Sequence, residues 1–154
     1  MSLGFLSPAA HAVSPLQRAL AGTDLVDVSD TGKVELRGDV AAFEAARILR
    51  LTPRRAIVLT DDPEGCVDDA RAVGLRAYDL TAAFAGIRVE GDELLRRLTE
   101  VEVTAPIAAP VADVPALIFP RDGGYELYVA QELGHHLALV VLDLQAGLDM
   151  RDRA

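Results

Sequence analysis

The sequence predicts an α+β domain in which one strand–strand–helix–strand–helix unit is used twice, the two halves sharing one core. Three observations carry this. Lys33-Val34-Glu35-Leu36-Arg37-Gly38-Asp39 is echoed by Gly86-Ile87-Arg88-Val89-Glu90-Gly91-Asp92 at an offset of 53 residues, and Val26-Asp27-Val28-Ser29 by Tyr78-Asp79-Leu80-Thr81 at an offset of 52. A helical pattern follows each Gly-Asp, and an apolar run of strand length, Ala56–Leu59 or Val114–Phe119, follows each helix. No low-complexity linker parts the copies. The pseudo-repeats span about 24–75 and about 76–148 of a single domain, 1–154, with 1–13 as an N-terminal arm.

Each element has a local reason. Ser14 can cap and Pro15 can start a short helix to Leu20, which Gly22 ends. Leu25–Val28 is β-like, and Asp30-Thr31-Gly32 is a turn by composition. Lys33–Arg37 alternates polar and apolar at period two, the pattern of a half-buried strand. Asp39 is positioned to cap a helix over Val40–Leu51, with Phe43, Ala46 and Leu49 on one face and Pro53 as its stop. The second half of the acidic stretch Asp61–Asp69 starts a helix that Gly74 ends. In the second half, Leu94, Leu95 and Leu98 form the apolar side of a helix. Arg121–Gly124 is the loop of a hairpin whose return strand is Tyr125–Val129. Gln131–Ala146 is the longest helix, with Gly147 as its stop. Its Leu133, Leu137, Val140, Val141 and Leu144 share a face, while Leu139 and Leu142 lie off it, so the helix is buried on two sides or meets a partner.

Composition excludes several functions. The chain has 154 residues, 51% hydrophobic but only 5% aromatic, with a net charge of −9. That charge, with arginines scattered in sequence, argues against nucleic acid as a partner. A single Cys rules out an internal disulfide and a four-cysteine zinc site. The longest apolar run, Leu137–Leu142, has six residues, against the roughly 20 that span a bilayer. No secretory signal pattern is visible. A cytoplasmic protein with no membrane partner is the expectation.

Little in the chain suggests chemistry. His135 and His136 are adjacent, so on a helix they point about 100° apart and cannot share a metal; one exposed and one packed histidine is expected, and His11 is remote. Cys66 sits among Asp61, Asp62, Glu64, Asp68 and Asp69, which disfavour a thiolate. That cluster lacks the ligand spacing of a calcium loop. No phosphate cradle or nucleophile elbow is present, and Gly123-Gly124 is turn chemistry. No catalytic residue and no metal ligand is assigned.

Ser14-Pro15-Leu16 and the run from Val26 to Gly38 resemble the opening of the folate-binding aminomethyltransferase superfamily. That superfamily includes the glycine-cleavage T-protein and the gamma subunit of heterotetrameric sarcosine oxidase. Asp79-Leu80-Thr81, the strand through Val89, and Gly91 are similar to its second repeat. Asp122-Gly123-Gly124-Tyr125-Glu126-Leu127-Tyr128-Val129, followed by a long apolar helix, resembles its G-E-x-G-Y/F-E-I/L-x-V/I signature. The resemblance covers nearly the whole chain, and its motifs are carried by their shared order. It implies a folate-binding-domain-like fold that is itself a duplication.

The departures are as informative. Only Thr52-Pro53-Arg54 separates the first helix from Ala56–Leu59, so the family's intervening G-G-I/L-x-D/N-D strand, with its folate-contacting acid, is expected to be missing. The family's R-x-x-Y-T-G-E segment falls on Ala116–Asp122, where Ala116, Phe119, Pro120 and Arg121 replace its Arg, Tyr, Thr and Gly. Asp122 matches the pterin-binding Glu, one methylene shorter. No counterpart of the T-protein's C-terminal barrel is expected in these 154 residues. The resemblance therefore implies Asp122, Tyr125, Phe119 and Arg121 as the residues that would meet a pterin, with tetrahydrofolate as the possible cofactor. It also implies that methylene transfer, which depends on positioning and proton handling, is lost. The chain resembles the gamma-subunit type: a non-catalytic accessory subunit linked to amine oxidation or one-carbon metabolism, docked through its last helix or hairpin edge. The alternatives are a tetrahydrofolate-binding protein or aminomethyltransferase-like enzyme, and a homodimer without ligand.

Overall fold

The computed structural model describes residues 13–154; apart from exposed Val13, the expected N-terminal arm and His11 lie outside them. Nine strands are formed among the described residues: β1 (Val26–Asp27), β2 (Gly32–Arg37), β3 (Ile48–Thr52), β4 (Arg55–Thr60), β5 (Arg76–Asp79), β6 (Phe84–Glu90), β7 (Ile107–Val111), β8 (Val114–Arg121) and β9 (Gly124–Ala130). The α-helices are α1 (Gln17–Leu20), α2 (Pro63–Ala72), α3 (Asp92–Leu98) and α4 (Gly134–Asp152). One sheet runs β1-β6-β9-β8-β7 and the other β3-β4-β2-β5, with antiparallel pairing throughout.

The buried side chains fall into three layers. Leu16, Leu94, Leu95, Leu98, Leu137, Ala138 and Val141 from the helical side cover Ile87, Val89, Ile118, Leu127 and Val129 of the five-stranded sheet. Ala70 of α2 covers Val34, Leu36, Ala56, Val58 and Ala77 of the other sheet. Between the sheets lie Val28, Leu49, Ile57, Leu59, Leu117, Phe119 and Tyr128. The order is thus helix, sheet, sheet, helices. Each fully buried Leu, Ile or Phe side chain contributes about 1.5–3 kcal/mol of apolar transfer. The close approach of α4 needs Gly134, whose position lies against Ala85 and Leu16.

The expected helix that Gly74 ends is formed, and Gly74 beyond its end has φ +86°; it starts within the first half of the acidic stretch, where Asp62 caps it by accepting from the Gly65 N–H at 3.0 Å. Other expectations need correction. Residues 40–51 are not a helix: Val40–Ala42 make one 3-10 turn, and Ile48–Thr52 are strand β3, paired with β4 through Ile48↔Val58 and Leu49↔Ile57. A strand therefore precedes β4 where none was expected, and it takes the place of the second half of the expected helix. β7 was not expected; Pro110 is tolerated there because β7 is an edge strand. Ala112 and Asp113, with φ 50° and 64°, form its tight turn to β8. α4 begins at Gly134 and runs through Gly147 to Asp152. His135 and His136 are both exposed.

The first strand of each sequence half lies in the other half's sheet. β1 pairs with β6, and β5 pairs with β2. The junctions match bond for bond. Asp27 Oδ1 accepts from Ser29 N–H at 3.0 Å and Asp79 Oδ1 from Thr81 N–H at 2.9 Å. Ser29 Oγ then accepts from Gly86 N–H at 3.0 Å, and Thr81 Oγ1 from Lys33 N–H at 3.1 Å.

Candidate functional site

Strand alternation places Glu126 and Tyr128 of β9 on the face turned toward the second sheet, and Tyr125, Leu127 and Val129 on the helix-covered face. The polar side chains of this inner face are buried. Glu126 Oε2 accepts from the Tyr128 hydroxyl at 2.6 Å and from Arg47 at 2.9 Å. Its Oε1 lies 3.6 Å from Arg88 and 3.5 Å from Arg121. Arg88 stands directly across from Glu126 in register, as does Phe119 on the other side. Arg47 reaches the site because β3 brings the preceding loop alongside β4, where Arg47 O accepts from Leu59 N–H at 3.0 Å. Burial works to raise the Glu126 carboxyl, but the Tyr128 hydroxyl, Arg47 and Arg88 outweigh it and hold it below the usual carboxylate range. Burial, then the Glu126 hydrogen bond, drives the Tyr128 hydroxyl well above its ordinary value.

Lys33 of β2 comes to the same layer from the opposite sheet. It is fully buried, its Nζ donates to Ser29 O at 2.6 Å and Thr81 O at 3.3 Å, and it lies 5.1 Å from the Tyr128 ring centroid. Burial pushes its ammonium down to about 8, against the partial support of Asp30 and Asp79. Glu35, one pleat along, is held by Arg37 and Arg55. The period-two pattern of β2 was expected to leave its polar face in water; instead that face is covered from Gly32 to Leu36.

Of the four residues singled out from the sequence, Phe119 and Arg121 reach the Glu126 cluster, while Asp122 and Tyr125 do not. Phe119 is buried, edge-on to Tyr128 at 6.0 Å between centroids, with Arg47 5.8 Å above its ring. Arg121 Nη1, at the end of β8, lies 3.5 Å from Glu126 Oε1, as close as Arg88, and so joins the Glu126 cluster. Asp122 is exposed in the β8–β9 turn. Tyr125 lies on the other face, donating to Asp92 Oδ1 at 2.7 Å. Phe119, Tyr125 and Tyr128 therefore cannot stack on one ring. The residues that meet Phe119 and Arg121 at the cluster, Glu126, Lys33, Arg47 and Arg88, were not read from the sequence. The available signal was the polar half of each alternating strand, once two sheets are stacked.

The chemistry this cluster supports is limited. Glu126 is a fixed anion, and Tyr128 holds its proton at neutral pH. Within the Glu126 cluster, among the described residues, no serine, threonine or cysteine donates to the carboxylate. Arg88 Nε is buried without a hydrogen-bond partner among the described residues, and Glu126 Oε1 meets its arginines only at ion-pair range. The one is an N–H donor and the other an acceptor, the two kinds of group that a pterin edge pairs with. The second carboxylate is absent, because β3 reads Ile-Leu-Arg-Leu-Thr. Beside Arg47, a cavity of about 470 Å³ lies between the 43–47 loop and α2, lined by Glu44, Asp61, Asp62, Cys66 and Asp69. Burial, then Asp69 and Asp62, pushes the Cys66 thiol up. Among the described residues no group of three or more His, Cys, Asp or Glu is arranged to hold a metal, and no helix is long and apolar enough to cross a membrane.

No protein-family model matches the chain, and no curated protein matches it. The fold nonetheless has a solved counterpart. It is similar to a chain in the structure of heterotetrameric sarcosine oxidase from Corynebacterium sp. U-96 in complex with pyrrole 2-carboxylate, with a TM-score of 0.75 at 15% identity, covering 88% of this chain and 95% of that one. The chain thus has the fold of a sarcosine oxidase subunit, over nearly the full length of both.

Proposed function

We propose that this chain is a non-catalytic accessory subunit of a hetero-oligomeric enzyme of amine oxidation or one-carbon metabolism. The observation that carries the reading is the end-to-end fold match to a chain of a heterotetrameric oxidase. The closed polar layer supports it, since Glu126 and Lys33 already have protein partners. Partner contact falls to α4, where Leu139 and Met150 are 52% and 69% exposed. Purification of the tagged chain from its native source should recover a flavoenzyme or aminomethyltransferase in fixed stoichiometry. A lone monomer at every concentration refutes the reading.

A second reading, a tetrahydrofolate-binding protein, is favoured by the unpartnered Arg88 Nε beside Glu126. It moves the recognising carboxylate from Asp122 to Glu126. Calorimetry with tetrahydrofolate tests it: binding lost in Glu126→Gln but kept in Asp122→Ala supports it, and no heat at millimolar ligand sinks it. In either case we read 1–154 as one domain of two repeats, about 24–75 and about 76–148. The matching Asx junctions and exchanged edge strands support the duplication.

A further inference from the structure

We propose that the end of the four-stranded sheet is a binding site for a small polyanion, a ligand carrying two or more phosphate or carboxylate groups. The register places Arg37 directly opposite Arg55 on one side and Arg76 on the other. Partners in register share a face, so three guanidinium stems stand in a row across β4, β2 and β5. With strands about 4.8 Å apart, the row spans roughly 10 Å. Arg54 joins it from the β3–β4 turn. The arginines that are scattered in the sequence are gathered here by the fold.

Like charges directly opposite on neighbouring strands are destabilising, and here two such pairs adjoin. A single carboxylate answers them. Glu35 accepts from Arg37 at 3.2 and 3.3 Å and from Arg55. Arg54 and Arg76 make no side-chain hydrogen bond or ion pair with the described residues. These four arginines, with Gly38 and Thr52, line an open cavity of about 370 Å³, within the usual range of small-molecule sites, ~300–1,000 Å³. In a chain of net charge −9, four guanidiniums against one carboxylate form a local reversal of sign. Guanidinium forks match phosphate and carboxylate oxygens in pairs. A polyanion would supply the countercharge that the sheet end lacks. Glu35 joins this site to the polar layer between the sheets, but the arginines on Glu126 are others, Arg47, Arg88 and Arg121, and the proposal does not depend on the accessory-subunit reading.

Calorimetric titration of the full chain with inorganic tripolyphosphate and with tri-glutamate tests the proposal. Binding of either probe is expected, weakening as salt is raised. Arg54→Ala/Arg76→Ala should weaken it at least tenfold, while Arg151→Ala, at the far end of α4, leaves it unchanged. Neither mutated arginine holds Glu35, so the fold is retained, and the relief of repulsion should raise the melting temperature of the variant without probe. If the double variant does not fold, Arg54→Gln in the exposed turn gives the same comparison. Tripolyphosphate alone identifies a phosphate ligand and tri-glutamate alone a carboxylate one. Absence of binding by both, or equal binding by the variants, overturns the proposal.

Discussion

Lys33 offers a sensitive test of the buried layer. Its ammonium lies between the sheets with only two carbonyl acceptors, and burial moves its pKa from 10.5 to about 8. Above pH 8 the folded chain has released a proton that the unfolded chain retains until about pH 10.4. The unfolded state therefore binds more protons across that window, and stability rises with pH through it. At ~1.4 kcal/mol per pKa unit, the shift corresponds to about 3 kcal/mol when fully developed, and to about 2 kcal/mol by roughly pH 9.5. Urea unfolding of the wild type and of Lys33→Met between roughly pH 7 and 9.5 isolates this contribution, because other titrations cancel in the difference. The wild type should gain on the variant by about 2 kcal/mol across that range. A constant difference would mean that Lys33 is solvated, and the closed interlayer would be refuted.

Glu126→Gln should cost about 3 kcal/mol, since it removes a buried anion facing three guanidiniums, and should lower the melting temperature by roughly 6–12 °C. Because the Glu126 pKa is depressed on folding, the loss is complete above the unfolded value of about 4.3 and shrinks as pH falls below it; calorimetric scans at acid and neutral pH check both. Gly86→Ala drives a methyl into the Tyr128 ring and toward Val28, and overpacking of this kind costs about 1–3 kcal/mol, measurable by denaturant midpoint. Cys66 should react with a thiol reagent more slowly at neutral pH than a free cysteine does, since its pKa is raised by burial, Asp69 and Asp62; reaction as fast as free cysteine would contradict that environment.

How much was legible in the sequence depended on whether local and tertiary forces agree. α2 carries its own cap in Asp62 and its stop in Gly74, and α3 its apolar side of Leu94, Leu95 and Leu98; β2, β6 and β9 carry an alternation, and β4 and β8 an apolar run of strand length. Residues 40–51 carry a conflict. Phe43, Ala46 and Leu49 fit a helix over a long window, while Ile48–Thr52 alternate over only five residues. Pairing with β4 and the seating of Leu49 between the sheets decide for the strand, a tertiary override of local propensity. β7 was hidden by Pro110, which the edge position of β7 tolerates. The polar cluster was hidden for a different reason. Lys33, Glu35, Arg88 and Glu126 occupy the polar phase of alternating strands, which normally faces water. Only the stacking of a second sheet, invisible to periodicity, turns that phase inward. The Asp122 assignment followed a linear motif, whereas the fold leaves that carboxylate in an exposed turn and buries the one four residues later.

The exchange of β1 and β5 has a mechanical consequence. A single cut after Gly74 would leave two fragments, each holding the edge strand that completes the other's sheet. Neither fragment could finish its own hydrogen-bond ladder, yet together they contain every bond of the intact chain. Such a nick should leave the protein folded as a two-piece complex, and the separated pieces should recover their structure only when mixed. The covalent link between the halves is then the least important of the ties between them.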